Sequence, residues 1–169
     1  MTSNEKTTSD LPFLPLKIRP AEEKDIPQLA QFIVAVGRDS ENLDLDVEVV
    51  KNAVKRILQD RNLGFYLVAE TINERTNEDL VIGSLMVTYE ISDWYNSLYW
   101  WIQSVYVLPS FRNRGVYRSL YNETIQKAKI ENVRQVKLYA DENNLRANET
   151  YRKVGMTASH YKIWESEML

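Results

Sequence analysis

The run from Val105 to Tyr121, VYVLPSFRNRGVYRSLY, restricts the fold of this chain more than any other stretch. It begins with β-branched and aromatic residues, the composition of a buried strand end. Pro109 and Ser110 halt that strand, because proline has no N–H to give a ladder. Arg112, Asn113, Arg114 and Gly115 follow as a basic turn closing on a glycine. From Val116, residues Tyr117, Leu120, Tyr121, Thr124, Ile125 and Ala128 recur at steps of three and four, which predicts one face of a helix. Strand, basic turn and helix in that order belong to a fold that alternates sheet and helix.

The order also has a chemical use. The first amides of a helix lack partners within it, and the helix dipole places partial positive charge at the same end. A glycine there lets an anion approach the backbone. Arg112, Arg114 and Arg118 add charge around the same mouth, so the turn is suited to a phosphate or pyrophosphate. The patterns G-x-x-x-x-G-K-[ST] and G-x-G-x-x-G are both absent, which excludes a P-loop and a dinucleotide fingerprint.

What the turn resembles is the coenzyme A motif of the GNAT N-acetyltransferase superfamily, [QR]-x-x-G-x-[GA], with Arg112, Gly115 and Tyr117 at its three defined positions. Tyr117 departs from the pattern, which has a small residue there. A second stretch resembles the family's later motif, N-x-x-A-x-x-x-Y-x-x-x-G-[FM]. Asn144, Ala147, Tyr151, Gly155 and Met156 fill all five of its positions. Two motifs in the family's order are stronger than either alone, and the resemblance covers roughly residues 16–165 as a pattern of elements.

The resemblance implies acetyl-CoA as co-substrate and an amine as acceptor. It implies that amides of Arg114, Gly115, Val116, Tyr117, Arg118 and Ser119 hold the pyrophosphate. It implies that backbone groups of Val105, Tyr106 and Val107 pair with the pantetheine arm, and that Asn144 and Asn148 contact the cofactor. Tyr151 would be the general acid that returns a proton to the departing sulfur. Many family members carry a glutamate where this chain has Gln103, which cannot usefully accept a proton. Glu90 is the first candidate for the base, with Asp93, Asp141, Glu142 and a chain of waters as alternatives. Coenzyme binding without turnover is the second function class that Gln103 and Tyr117 leave open.

The rest of the chain predicts an α/β domain with a mixed sheet flanked by about four helices. Residues 1–11 are polar and are expected to be a disordered tail ahead of a single domain over 12–169. Leu16 to Arg19 predicts a short strand ended by Pro20. Asp25 is placed to cap a helix running to about Gly37, and Asp46 to cap a second one with an inward stripe of Val50, Val54, Ile57 and Leu58. Strands are expected at 65–71, 80–90, 98–107 and 135–140, and residues 157–165 leave room for one further strand or two stubs.

Glu41, Asp44, Asp46 and Glu48 around the link between the first two helices read as ordinary helix-start chemistry. Alternate members of Trp94, Tyr95, Tyr99, Trp100 and Trp101 should face the core, the others walling an acceptor pocket or a homodimer face. A net charge of −3 gives no reason to expect nucleic acid. No apolar run is long enough for a membrane span, no secretory leader is evident, and a cytoplasmic protein is expected. With no cysteine and one histidine, no metal site is expected.

Overall fold

The computed structural model describes residues 15–166; the expected tail at 1–11 lies outside them. The chain divides into two compact units, one ending at Tyr139 and one beginning at Ala140. The first holds a five-stranded sheet whose strands lie in chain order. They are β1 (Lys17–Pro20), β2 (Gly64–Ile72), β3 (Asp79–Ser92), β4 (Ser97–Val107) and β5 (Gln135–Leu138). β1 to β4 are antiparallel, whereas β5 joins β4 in parallel. A parallel neighbour needs a crossover, and here that crossover is the helix α3 (Val116–Ile130).

Alternation along β2 divides the core between the sheet's faces. Tyr66 and Val68 pack with Leu29 and Ala30 of α1 (Ile26–Glu41) and with Val50 and Val54 of α2 (Val47–Gln59). Leu67 and Ala69 face the other way, into a larger core with Ile82, Leu85, Val87, Trp100, Ile102 and the α3 residues Val116, Leu120 and Ala128. Trp100 is fully buried at the centre of that second layer. The mixed sheet with its helices is therefore the architecture that the sequence predicts.

Asp46 caps α2 as expected, its side chain accepting from the Glu48 amide at 2.8 Å. Asp25 does not cap α1 through its side chain, and α1 runs on to Glu41 rather than stopping at Gly37. The Asp25 carboxylate instead accepts from the Glu22 amide at 2.8 Å and from both terminal nitrogens of Arg19, at 2.7 and 2.9 Å. The Arg19 Nε also donates to Glu70 at 2.8 Å. All three side chains are at most one-tenth exposed. Burial would raise the Asp25 carboxyl, but the Arg19 hydrogen bonds, the Glu22 amide and the charges of Arg19 and Lys24 together hold the carboxyl below its ordinary value. The same guanidinium holds Glu70 down. This ion cluster fastens the edge strand β1 to β2 and to the start of α1.

The second unit contains the helix α4 (Leu145–Lys153). The strand expected at 157–165 does not form, and Tyr161, Ile163 and Trp164 are exposed. Alternating side chains suit a segment to a sheet, but a strand exists only where a second backbone takes its hydrogen bonds. No such ladder runs along this segment.

Candidate active site

β4 changes character halfway along. From Tyr99 to Ile102 it is paired on both sides, to β3 and to β5. The pairing with β5 ends at Ile102 and Leu138. On the other side the register slips, so that Ser84 faces Tyr106 while Met86 faces Gln103. Three steps on β4 answer two on β3, which is a β-bulge. Ser104 sits within it at φ 49°, in the left-handed region that L-residues other than Asn and Asp seldom enter.

Beyond the bulge the backbone opens on the side away from β3. The Leu108 amide donates to the Ile82 carbonyl at 2.9 Å. Backbone groups alternate sides along a strand, so those of Val105 and Val107 point away from β3, where no strand among the described residues pairs with them. The Val107 carbonyl accepts from Arg112 Nε at 2.9 Å. The side chains of Val105 and Val107 pack into the α3-side core, and the Tyr106 ring meets Phe32 of α1 with centroids 4.9 Å apart. All three residues anchor their side chains, and Val105 and Val107 turn backbone away from β3, an arrangement suited to an amide-containing chain that binds as a strand would.

The basic turn follows directly. Pro109–Phe111 form a single 3-10 turn, and Gly115 caps α3 at φ 79°. A Cβ at Gly115 would touch nothing within 4 Å, so the glycine serves backbone conformation and open approach, not packing. Arg112 lies over the Tyr106 ring at 5.5 Å and Arg114 over Phe111 at 5.8 Å, while Arg118 is exposed. The amides at the head of α3, from Gly115 to Arg118, are the ones its own ladder leaves unused. The Ser119 amide donates to the Gly115 carbonyl at 3.0 Å and closes the first helical bond. Val116 and Tyr117 bury their side chains beneath this turn, so the Tyr117 ring points into the protein and leaves its amide at the helix head.

In the second unit, Asn144 caps α4, its Oδ1 accepting from the Ala147 amide at 3.1 Å. Asn148 donates from Nδ2 to the carbonyls of Asp141 at 2.8 Å and Asn144 at 2.9 Å, tying the preceding loop to the helix. Tyr151 lies one turn further on the same face and is half-buried; burial raises its hydroxyl above the ordinary tyrosine value. It therefore stays protonated at any working pH, as a proton donor must.

At the position of the family's glutamate, Gln103 donates to Thr88 Oγ1 at 2.7 Å. Glu90 is exposed, accepts a hydrogen bond from Trp101 Nε1 and faces Lys137 at 4.0 Å. It pairs with Tyr99, five residues before Ser104, which is about 16 Å along the strand at the usual rise. Asp93 is in an exposed turn, and Asp141 accepts from the amide of Asn143. Of the acidic residues around the link between α1 and α2, Glu48, in the first turn of α2, pairs with Lys51 at 2.7 Å. Among the described residues, no three His, Asp or Glu side chains gather to hold a metal, and no helix is long and apolar enough to cross a membrane.

Ser104 and Gly83 are structural parts of this site that the sequence did not disclose. Gly83 pairs with Val107, and a Cβ there would stand 2.9 Å from the Tyr106 carbonyl and 3.2 Å from Val116. The glycine lets β3, the opened end of β4 and the head of α3 converge. A glycine inside a strand pattern is the one signal that could have found it.

The mixed sheet, its bulge and the glycine-capped helix belong to a GNAT-like acetyltransferase fold. The family model described as the acetyltransferase (GNAT) family matches residues 34–156, and the chain belongs to that family. A possible acetyltransferase from Clostridium difficile 630 shares 32% identity and superposes with a TM-score of 0.81, over 91% of this chain and 98% of that one. A predicted acetyltransferase from Clostridium acetobutylicum, solved with acetyl-CoA, has 18% identity and a TM-score of 0.69 over 89% of this chain and 96% of its own. A transcriptional regulator from Bacillus halodurans C-125 has 24% identity and a TM-score of 0.72, covering 90% and 99%; these last two show a shared fold. No curated protein matches the chain.

Proposed function

We propose that this protein transfers the acetyl group of acetyl-CoA to a primary amine by direct attack in a ternary complex. The observation that carries the reading is the open edge of β4 leading into the glycine-capped, arginine-rich head of α3. That arrangement fits a phosphorylated, amide-containing coenzyme: the amides of Gly115 to Arg118 and the three arginines suit its pyrophosphate, and Val105 to Val107 suit its pantetheine. The coenzyme supplies an activated thioester. The protein's own tasks are to orient the carbonyl against β4, to receive a neutral amine and to return a proton to sulfur.

Tyr151 is assigned the last task, supported by its motif position and its raised, protonated hydroxyl. Asn144 and Asn148 set the helix that carries it, and in this reading the two units work as one domain in the cytoplasm. Glu90 is committed to Trp101 and Lys137 and lies far from the bulge, so the proposal gives it no proton to carry; a water relay to backbone carbonyls takes that role. A displaced acid limb of the pH–rate profile in Glu90→Gln would restore Glu90 as base. A second reading, coenzyme binding without turnover, is favoured by Gln103 in place of a carboxylate.

Thiol release from acetyl-CoA against pooled polyamines, amino acids, aminoglycosides and short peptides tests the two readings. Tyr151→Phe should lower turnover by about 10²–10⁴-fold while coenzyme affinity holds. An unchanged rate removes Tyr151 from the mechanism, and tight coenzyme binding with no release from any pool selects the second reading.

A further inference from the structure

The face of the sheet opposite Trp100 carries a cluster that acetyl transfer does not by itself require. Glu90 of β3, Tyr99 and Trp101 of β4, Lys137 of β5 and Tyr139 just beyond it meet there. Lys137 Nζ stands 3.5 Å from the centroid of the Tyr99 ring and 5.1 Å from that of Trp101. Its other neighbour is the Glu90 carboxylate at 4.0 Å. Trp101 donates its Nε1 hydrogen to the same carboxylate, and its ring stacks on Tyr139 with centroids 4.4 Å apart.

Two ring faces and one carboxylate around a cation form an ammonium receptor. Each wall is itself fixed: Tyr99 and Trp101 by the paired half of β4, Trp101 further by Tyr139, and Glu90 by the indole N–H. The tenant is the least fixed part, because a lysine ammonium rides on a flexible four-carbon stem. The cluster is open to water, with the Glu90 side chain 44% exposed and that of Lys137 26% exposed. A soluble ammonium can therefore reach the box and compete with the tethered one.

Position gives the box a use. Trp101 and Tyr99 lie three and five residues before Ser104, so the box stands about 10–16 Å along the strand from the place where β4 opens. We propose that this box is a second acceptor subsite, which takes the far ammonium of an extended polyamine while its other end reaches the bulge, and that Lys137 is a built-in competitor displaced when such an acceptor binds. This rests on the amine-acetylation reading above and narrows its acceptor to molecules with two cationic groups about 10–16 Å apart.

The test is titration of 1,8-diaminooctane into the full chain without acetyl-CoA, followed by calorimetry. Lys137→Met should tighten binding about tenfold by removing the competitor, and Trp101→Leu should weaken it about tenfold. The opposite signs separate a receptor from a merely structural cluster, in which losing Lys137 would weaken binding or leave it unchanged. Either of those results for Lys137→Met overturns the proposal, provided its thermal unfolding matches the parent. So does a Trp101→Leu variant, equally folded, that binds as the parent does. In turnover, Trp101→Leu should raise KM for 1,8-diaminooctane with kcat retained. Intact thiol release with unresponsive binding sinks the box alone; responsive binding with no thiol release from any amine sinks the acetylation reading and leaves an ammonium receptor.

Discussion

The two halves of β4 are built from similar residues and serve opposite ends. Ser97 to Ile102 is bonded to β3 and, from Tyr99, to β5; it buries Trp100 and Ile102. Gln103 to Val107 has one ladder, a left-handed serine and a free side from which Val105 can pair with another molecule. The first half satisfies its backbone within the protein and so contributes stability. The second leaves backbone that β5 does not pair, which the proposed function assigns to a ligand. Five residues are enough to separate the roles because a bulge resets the register without breaking the strand.

Substitutions in each half should separate along the same line. Trp100→Ala, in the closed half, should cost about 3–5 kcal/mol of stability by denaturant unfolding, and a loss under 1 kcal/mol would mean that the paired half is not the mechanical centre of the sheet. Gly83→Ala, under the opened half, pushes a Cβ toward the Tyr106 carbonyl and should cost about 1–3 kcal/mol. Its coenzyme affinity should fall as well, because the displaced carbonyl belongs to the strand end that the proposed function assigns to the pantetheine. Ser104→Val should cost the least, about 1–2 kcal/mol for a β-branched residue held at positive φ. Ser104→Gly should lose none of that stability while still folding the bulge. If Ser104→Val binds coenzyme as the parent does and is equally stable, the left-handed serine does not set the opening.

Much of this division could be read from the sequence, for local reasons. The end of β4, the turn and α3 are contiguous, and their proline, glycine and three-four periodicity are local signals. Asn144 to Met156 is legible on the same grounds. The bulge is not, because a register slip is decided between strands and serine carries no preference for positive φ. Asp25 misled because an aspartate before a helix suggests a cap, whereas its real partner, Arg19, also serves Glu70 across 51 residues of chain. The unformed strand at 157–165 shows the same limit from the other direction: alternation describes a segment's faces, not the presence of a neighbour.

The strands of this sheet lie in the order in which the chain makes them. β2, β3 and β4 are therefore joined by short reversals at 73–78 and 93–96, and they close with little loss of loop entropy. β1 reaches the sheet only across α1 and α2, and β5 only across α3. The fork between β4 and β5 is thus a seam between a locally closing kernel and a strand delivered from a distance. Its upkeep depends on the turn from Pro109 to Gly115 holding α3 on course, so one short segment governs both the landing of β5 and the head of the helix beside it.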